Sequence, residues 1–255
     1  MAFNFEGVGK RIAVIKNGKY DKKAVYISTP ENVDAINKPF TNLELDSGKF
    51  QQSIDTNEDG QIYPRVMMIT GQSGCGKSYF TLQFINEYLK KHKKNPVYLF
   101  SALEQDDTLD SDKRIKRIII DEYIGDESID DFENTLCIFD DVDVLPKKEK
   151  DAVYFLLNKF LQVGRHKNIN VIFTSHLPTD NRNTRVILNE ANCISYNPNG
   201  SSHSIHYLLK TYCGLSSAQI KKIKGLKTRM ATIYRNYPQF VLTEQNLYIL
   251  NDEAE

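Results

Sequence analysis

What this sequence lacks sets its first limits. Lys+Arg and Asp+Glu stand at 33 each, so the chain has no net charge and its total points to no partner of either sign. The four cysteines, Cys75, Cys137, Cys193 and Cys213, lie far apart, and no pair has the spacing of a metal or redox motif. The reading is a reduced, intracellular setting. No charged-then-apolar leader pattern opens the chain, and no apolar run approaches the roughly 20 residues that cross a bilayer. The expectation is a soluble intracellular protein with no membrane span, free of internal repeats and low-complexity tracts. One absence is local. Residues 191–243 hold no Asp or Glu, while Lys210, Lys221, Lys222, Lys224, Lys227, Arg229 and Arg235 all fall there, against a heavily acidic 104–151. A neutral chain can therefore carry a basic face, although a solvated helix surface explains the same residues equally well.

What is present centres on Gly71-Gln72-Ser73-Gly74-Cys75-Gly76-Lys77-Ser78, a match to G-x-x-x-x-G-K-[ST]. An apolar run at 66–69 leads in. A helical pattern at 79–94 leads out, with Phe80, Phe84 and Tyr88 on one stripe. That strand–loop–helix setting is what makes the motif a phosphate site. Glycines let the backbone turn tightly and aim N–H groups inward, and the helix start adds positive potential. Lys77 supplies a full charge to the β- and γ-phosphates, and the Ser78 hydroxyl can ligate Mg2+. The candidate nucleotide contacts are Gly71 to Ser78 and the following Tyr79.

A second pattern, Leu136-Cys137-Ile138-Phe139-Asp140-Asp141, is an apolar strand ending in two carboxylates. It would deliver Asp140 beside the phosphate loop as a magnesium holder and Asp141 as the group that polarises an attacking water. A helix over 147–163 follows, then Gly164-Arg165-His166, then a buried strand at 169–173 ending in Thr174-Ser175-His176. Ser175 or His176 could sense the γ-phosphate, or either could simply cap a loop. Arg165 has two readings of equal standing. One is a cation at a helix C-terminus, and the other is an arginine reaching into a neighbouring subunit's site.

Elsewhere, 12–15 and 25–27 read as strands around Asn17-Gly18, and 28–60 as polar and irregular, broken by Pro30 and Pro39. Asp55 to Ile62 copies half of a calcium loop, but Val66 stands where its bidentate Glu belongs, so an acidic turn is preferred. Helices are expected at 181–190, 203–212 and 216–226, and strands at 97–100, 115–120, 191–196, 230–234, 240–242 and 247–250. The acidic tail 252–255 reads as mobile. Three parts follow: a β extension at 1–60, a nucleotide-binding core at 61–200, and basic helices and terminal strands packed on it at 201–255.

The order of these features over roughly 64–210 resembles the FtsK–HerA superfamily of P-loop ATPases, and within it the poxvirus-type genome-packaging ATPases of large DNA viruses. The resemblance implies an α/β, RecA-like (ASCE) P-loop NTPase fold with a mainly parallel sheet between helices. It also implies a pentameric or hexameric ring that uses ATP and Mg2+ to push double-stranded DNA into a capsid, docked to a capsid or portal component. Such a protein would work in the host cytoplasm at assembly sites or with the virion. Carried onto this chain, Lys77, Ser78, Asp140 and Asp141 keep the roles given above, and Arg165 matches the family's arginine finger. Lys221, Lys222, Lys224, Lys227 and Arg229 are the candidate DNA contacts. Two departures stand out: His176 where the family commonly has Gln, and Asp141 where many relatives have Glu. The alternatives are another ring ATPase such as a DNA pump or clamp loader, a P-loop kinase of small molecules, or an ATP-bound switch.

Overall fold

The computed structural model describes residues 1–56, 62–179, 182–200 and 202–250. Residues 57–61 of the half calcium loop, residue 181 of the expected helix at 181–190, and the acidic tail lie outside the described residues.

The N-terminal part forms β1 (Ala2–Asn4), β2 (Lys10–Lys16), β3 (Ala24–Ser28), β4 (Asn42–Glu44), β5 (Lys49–Gln52), β6 (Asp55–Thr56) and β7 (Ile62–Tyr63). Four of these make an antiparallel sheet in the order β1-β3-β2-β5. The stretch expected to be irregular thus contains paired strands. Lys49-Phe50-Gln51-Gln52 has one apolar residue, so it carries no period-two pattern, and its conformation comes from pairing with β2.

The core follows with β8 (Val66–Thr70), α1 (Lys77–Lys91), β9 (Val97–Ser101), β10 (Ile115–Ile118), β11 (Leu136–Asp140), α2 (Lys147–Val163), β12 (Asn170–Ser175), α3 (Arg182–Glu190) and β13 (Cys193–Tyr196). The chain continues through α4 (Ser202–Tyr207), a wider π-type turn at Leu208–Tyr212, α5 (Ser217–Lys224), β14 (Ala231–Tyr234), β15 (Phe240–Leu242) and β16 (Asn246–Ile249). One sheet runs through most of it, in the order β10-β9-β11-β12-β8-β13-β14-β15-β16-β4. The six strands from β10 to β13 are parallel, and the remaining four are antiparallel. The terminal strands therefore continue the sheet's hydrogen bonding, and β4 from the N-terminal part closes its far edge.

Both faces of the parallel half are covered, which is why β8 and β11 are apolar at every position of their interior. Val66, Met68, Cys137 and Phe139 face one core, with Leu156, Leu157 and Phe160 of α2, Ile187 of α3 and Ile220 of α5. Met67, Ile69, Leu136 and Ile138 face the other, against Phe84, Ile85 and Tyr88 of α1 and Phe3, Ile15 and Val25 of the N-terminal sheet. Helices thus lie on both faces, and on the second face the N-terminal sheet shares the cover with α1. Asn192 fixes where β8 begins, its Oδ1 accepting from Arg65 N at 3.0 Å and Val66 N at 2.9 Å.

Phe139 is fully buried and stacks on Phe100 with ring centroids 4.7 Å apart. Phe139→Ala should cost about 3–5 kcal/mol of unfolding free energy, seen as a lower urea midpoint at unchanged slope. A midpoint equal to that of the parent protein would show that this layer does not carry the core.

Candidate functional site

The parallel strands all end at one edge, and the chemistry collects there. β8 feeds the loop of residues 71–76, and α1 begins at Lys77 with Gly76 as its N-cap at φ 100°. Gly74 also has φ 74°. A side chain is strained at either backbone setting, so glycine is needed. At Gly71 the constraint is contact: an added Cβ would meet Cys75 Sγ at 2.7 Å. Cys75 is buried against the loop, while Gln72, Ser73, Gly74 and Tyr79 are exposed.

Lys77 is buried, and its Nζ donates to Gly71 O at 3.1 Å and lies 3.2 Å from His176 Nδ1. His176 Nε2 in turn lies 3.1 Å from Asp141 Oδ2. An imidazole nitrogen facing an ammonium must present its lone pair, which places the ring proton on Nε2, toward the carboxylate. One ring thus bridges the loop's lysine and the second acid.

Asp140 is buried at the end of β11, its Oδ1 accepting from Thr174 Oγ1 at 2.7 Å and its Oδ2 from Ser101 Oγ at 3.3 Å. Thr174 Oγ1 also accepts from Asp141 N at 3.1 Å. Asp141 adopts a left-handed backbone, φ 48° and ψ 33°, which Asp tolerates better than most residues. The two acids therefore point differently, and Asp141 Oδ1 is buried without a partner. Burial pushes the Asp140 carboxyl above its ordinary value. The Thr174 hydrogen bond opposes that shift, and the nearby charges of Asp141 and Asp106 add to it.

Asp106 was not singled out in the sequence. It lies past the end of β9, the strand beside β11, and its Oδ2 accepts from Ser78 Oγ at 3.3 Å. Its other oxygen holds Thr108 N and Leu109 N at 2.8 and 2.7 Å. The signal available was its position at a strand end, hidden within a run of similar acids.

Ser175 is committed elsewhere: its one hydroxyl proton faces two acceptors, Asp143 Oδ2 and Leu177 O, each at 2.9 Å. Of the two sensor candidates, only His176 meets Lys77 and Asp141. Arg165 is exposed on a short turn at Gly164–Lys167, before β12 begins. The six residues of β12 separate it from the site by on the order of 20 Å, so it cannot act on a nucleotide held by its own chain. Lys221, Lys222 and Lys227 are exposed and Lys224 half-buried, on and after α5. Lys222 Nζ sits 4.8 Å over the Tyr248 ring. Arg229 is exposed just before β14, whose first residue, Ala231, pairs with Tyr196, itself paired with Thr70. Arg229 therefore stands at the phosphate-loop edge.

Among the described residues, no three His, Cys, Asp or Glu side chains group closely enough to hold a metal alone. A hydroxyl on Ser78, the carboxylates of Asp106 and Asp140, and the orphaned Asp141 oxygen fit Mg2+, which keeps waters and takes further ligands from phosphates. No helix of the described residues is long and apolar enough to cross a membrane.

Residues 63–192 match the family model described as AAA domain. The chain is 36% identical over 244 residues to the uncharacterized protein V3 of the Sputnik virophage, covering 94% of this chain and 96% of that one. Among solved structures it is similar to the DNA-packaging ATPase B204 of Sulfolobus turreted icosahedral virus, with TM-score 0.52 and 16% identity over 71% of this chain and 97% of that one. It is also similar to the genome packaging NTPase B204 of Sulfolobus turreted icosahedral virus 2 in complex with ATP-gammaS. That match has TM-score 0.50 and 14% identity over 72% and 96% of the two chains. At such identities the two structures speak for the fold.

Because its folded-state value is raised, Asp140 favours the fold below its ordinary value of 3.8, and that contribution is lost as pH rises through the raised value. At about pH 7 the buried charge opposes folding. Asp140→Asn should therefore raise the thermal midpoint of the nucleotide-free protein near neutrality, with the gain shrinking toward about pH 4. A lower midpoint at neutral pH would mean the charge is compensated.

Proposed function

The chain belongs to the AAA domain family and is a P-loop ATPase, and from that premise we propose that it hydrolyses ATP to drive double-stranded DNA into a viral capsid. The observation that carries the reading is the convergence of Lys77, His176, Asp141 and Asp140 at the mouth of the phosphate loop. Its packaging half is supported by the shared fold with a viral DNA-packaging ATPase, and by the virophage source of the 36% identical relative.

In this reading the backbone of residues 71–76 and Lys77 cradle the β- and γ-phosphates. Ser78 and Asp140 would hold Mg2+, Asp140 through water, and Asp106 would add a second carboxylate beside them. Held there, the ion would supply neutralisation of the charge that builds on the phosphate oxygens. Asp141 is shorter than the glutamate common in the superfamily, and His176 extends its reach. Asp141 orients the imidazole, while Lys77 leaves Nδ1 for the γ-phosphate. An acid pair joined to a histidine at this end suits water as the nucleophile, which favours hydrolysis over transfer to an acceptor.

Arg165 serves the site of a neighbouring subunit, which makes a ring the working form, pentameric or hexameric. Lys221, Lys222, Lys224, Lys227 and Arg229 meet DNA phosphates without regard to sequence. A capsid or portal component docks the ring, and assembly sites in the host cytoplasm are where it acts.

ATP turnover measured with and without double-stranded DNA, at low and high salt, tests the coupling. The expected result is stimulation at low salt that fades as salt rises, with Lys77→Ala lowering turnover by on the order of 10² or more. Stimulation absent under all conditions would remove the DNA role, and unchanged turnover in Lys77→Ala would remove the phosphate-loop assignment.

Mixed assemblies test the subunit-crossing arginine. Arg165→Ala and Asp141→Asn proteins, each inactive alone, should regain part of the parent activity when combined, because some interfaces then pair an intact arginine with an intact acid. Activity that stays at the sum of the two separate variants would place Arg165 outside catalysis.

A further inference from the structure

His176 and Asp141 both stand beyond the reach of the sheet that carries them. The last residues paired between β11 and β12 are Phe139 and Phe173. Asp141 and His176 follow two and three residues later, so no ladder hydrogen bond between their strands sets the 3.1 Å that separates them. On its other side, β12 pairs with β8 only as far as Ser175. The His176 side chain keeps 43% of its surface exposed, and Asp141 occupies a left-handed turn. Something other than strand pairing must fix one against the other.

The end of β12 offers three side chains in a row, and each is tied to an acid at or after the end of β11. Alternation puts Thr174 and His176 on one face of the sheet and Ser175 on the other, the face that α2 covers. Thr174 holds Asp140 and the Asp141 amide, and His176 meets Asp141. From the opposite face, Ser175 Oγ lies 2.9 Å from Asp143 Oδ2. The ionised carboxylate is the stronger of the two acceptors that this hydroxyl faces. The turn that carries Asp141 is thus gripped from both faces, and Asp143 secures the side that Thr174 does not reach.

Asp143 has a second partner. Its Oδ1 accepts from the hydroxyl of Tyr154, a buried residue of α2 that needs an acceptor there. One carboxylate therefore joins the turn after β11, the end of β12 and the middle of α2. Capping the helix is not its task, because Pro146 holds the N-cap position of α2. We propose that Asp143 is a positioning residue for ATP hydrolysis, which through Ser175 and Tyr154 sets Asp141 at its working distance from His176. The inference rests on the reading in which that pair acts at the γ-phosphate end. Without the carboxylate, the turn at Val142–Val144 is free to shift on the α2 side. A misplacement of about 1 Å at such a pair costs up to about 10²-fold in rate.

Steady-state ATP turnover across a double-mutant cycle tests this. Asp143→Ala should lower kcat by roughly 10- to 100-fold and leave KM for ATP within about twofold, because the phosphate loop is untouched. Added to His176→Ala, it should cost less than about twofold more, since the pair it positions is already broken. The same fold loss in both backgrounds, or a KM that rises as kcat falls, overturns the inference. Parent-level turnover in His176→Ala overturns the role of the histidine itself, and the inference with it. Where Asp143→Ala fails to fold, Tyr154→Phe takes its place, removing one hydroxyl from the carboxylate while keeping the ring. It should lower kcat by about three- to tenfold at unchanged KM, again with no further loss beside His176→Ala. A kcat equal to the parent's in Tyr154→Phe, or an equal loss in both backgrounds, overturns the inference.

Discussion

A single hydroxyl holds the catalytic edge together. Thr174 Oγ1 donates to the buried carboxylate of Asp140 and accepts from the backbone of Asp141, so it ties the end of β11 to the end of β12. Without that acceptor, the turn after Asp140 would have no partner for the amide that its left-handed residue presents. The bond also offsets part of the cost of keeping Asp140 charged inside the protein. Two neighbouring acids can thus take different tasks, one facing Ser101 and Thr174, the other facing the imidazole of His176.

The parallel sheet gives the molecule two chemically distinct ends. Strand C-termini carry the phosphate loop, the acids and His176, as open α/β sheets do. Strand N-termini carry Arg165, with Arg65 close enough for their like charges to interact. Arg165 and the phosphate loop thus lie at opposite ends of the strands. The antiparallel strands added beyond β13 turn the chain back, so that the segment leading into β14 arrives at the phosphate-loop end.

The parts of the site that were legible in the sequence were those in which one short segment does the work. The phosphate loop needs only its own glycines, Lys77 and Ser78, and the Asp140–Asp141 pair ends an uninterrupted apolar strand. The contributions that carry no local pattern depend on distant pairing. Asp106 sits in an irregular acidic stretch, and its role arises because β9 lies beside β11. In the fold, β5 has Phe50 as its lone apolar residue and forms through its pairing with β2. The choice between Ser175 and His176 was undecidable from sequence, since both are polar groups at one strand end. In the structure Ser175 turns to Asp143 while His176 lies beside Lys77. Likewise, β4 joins the sheet only through contacts with β16, some 200 residues further on.

The outer strands of the large sheet bear on how copies can meet. At one border β10 presents Lys116 and Arg117, and at the other β4 carries Asn42 and Glu44, both exposed. Charged and polar margins of this kind resist extension by a neighbour's backbone. A neighbouring copy can then be met only through loops and helix sides, which leaves each sheet a closed unit.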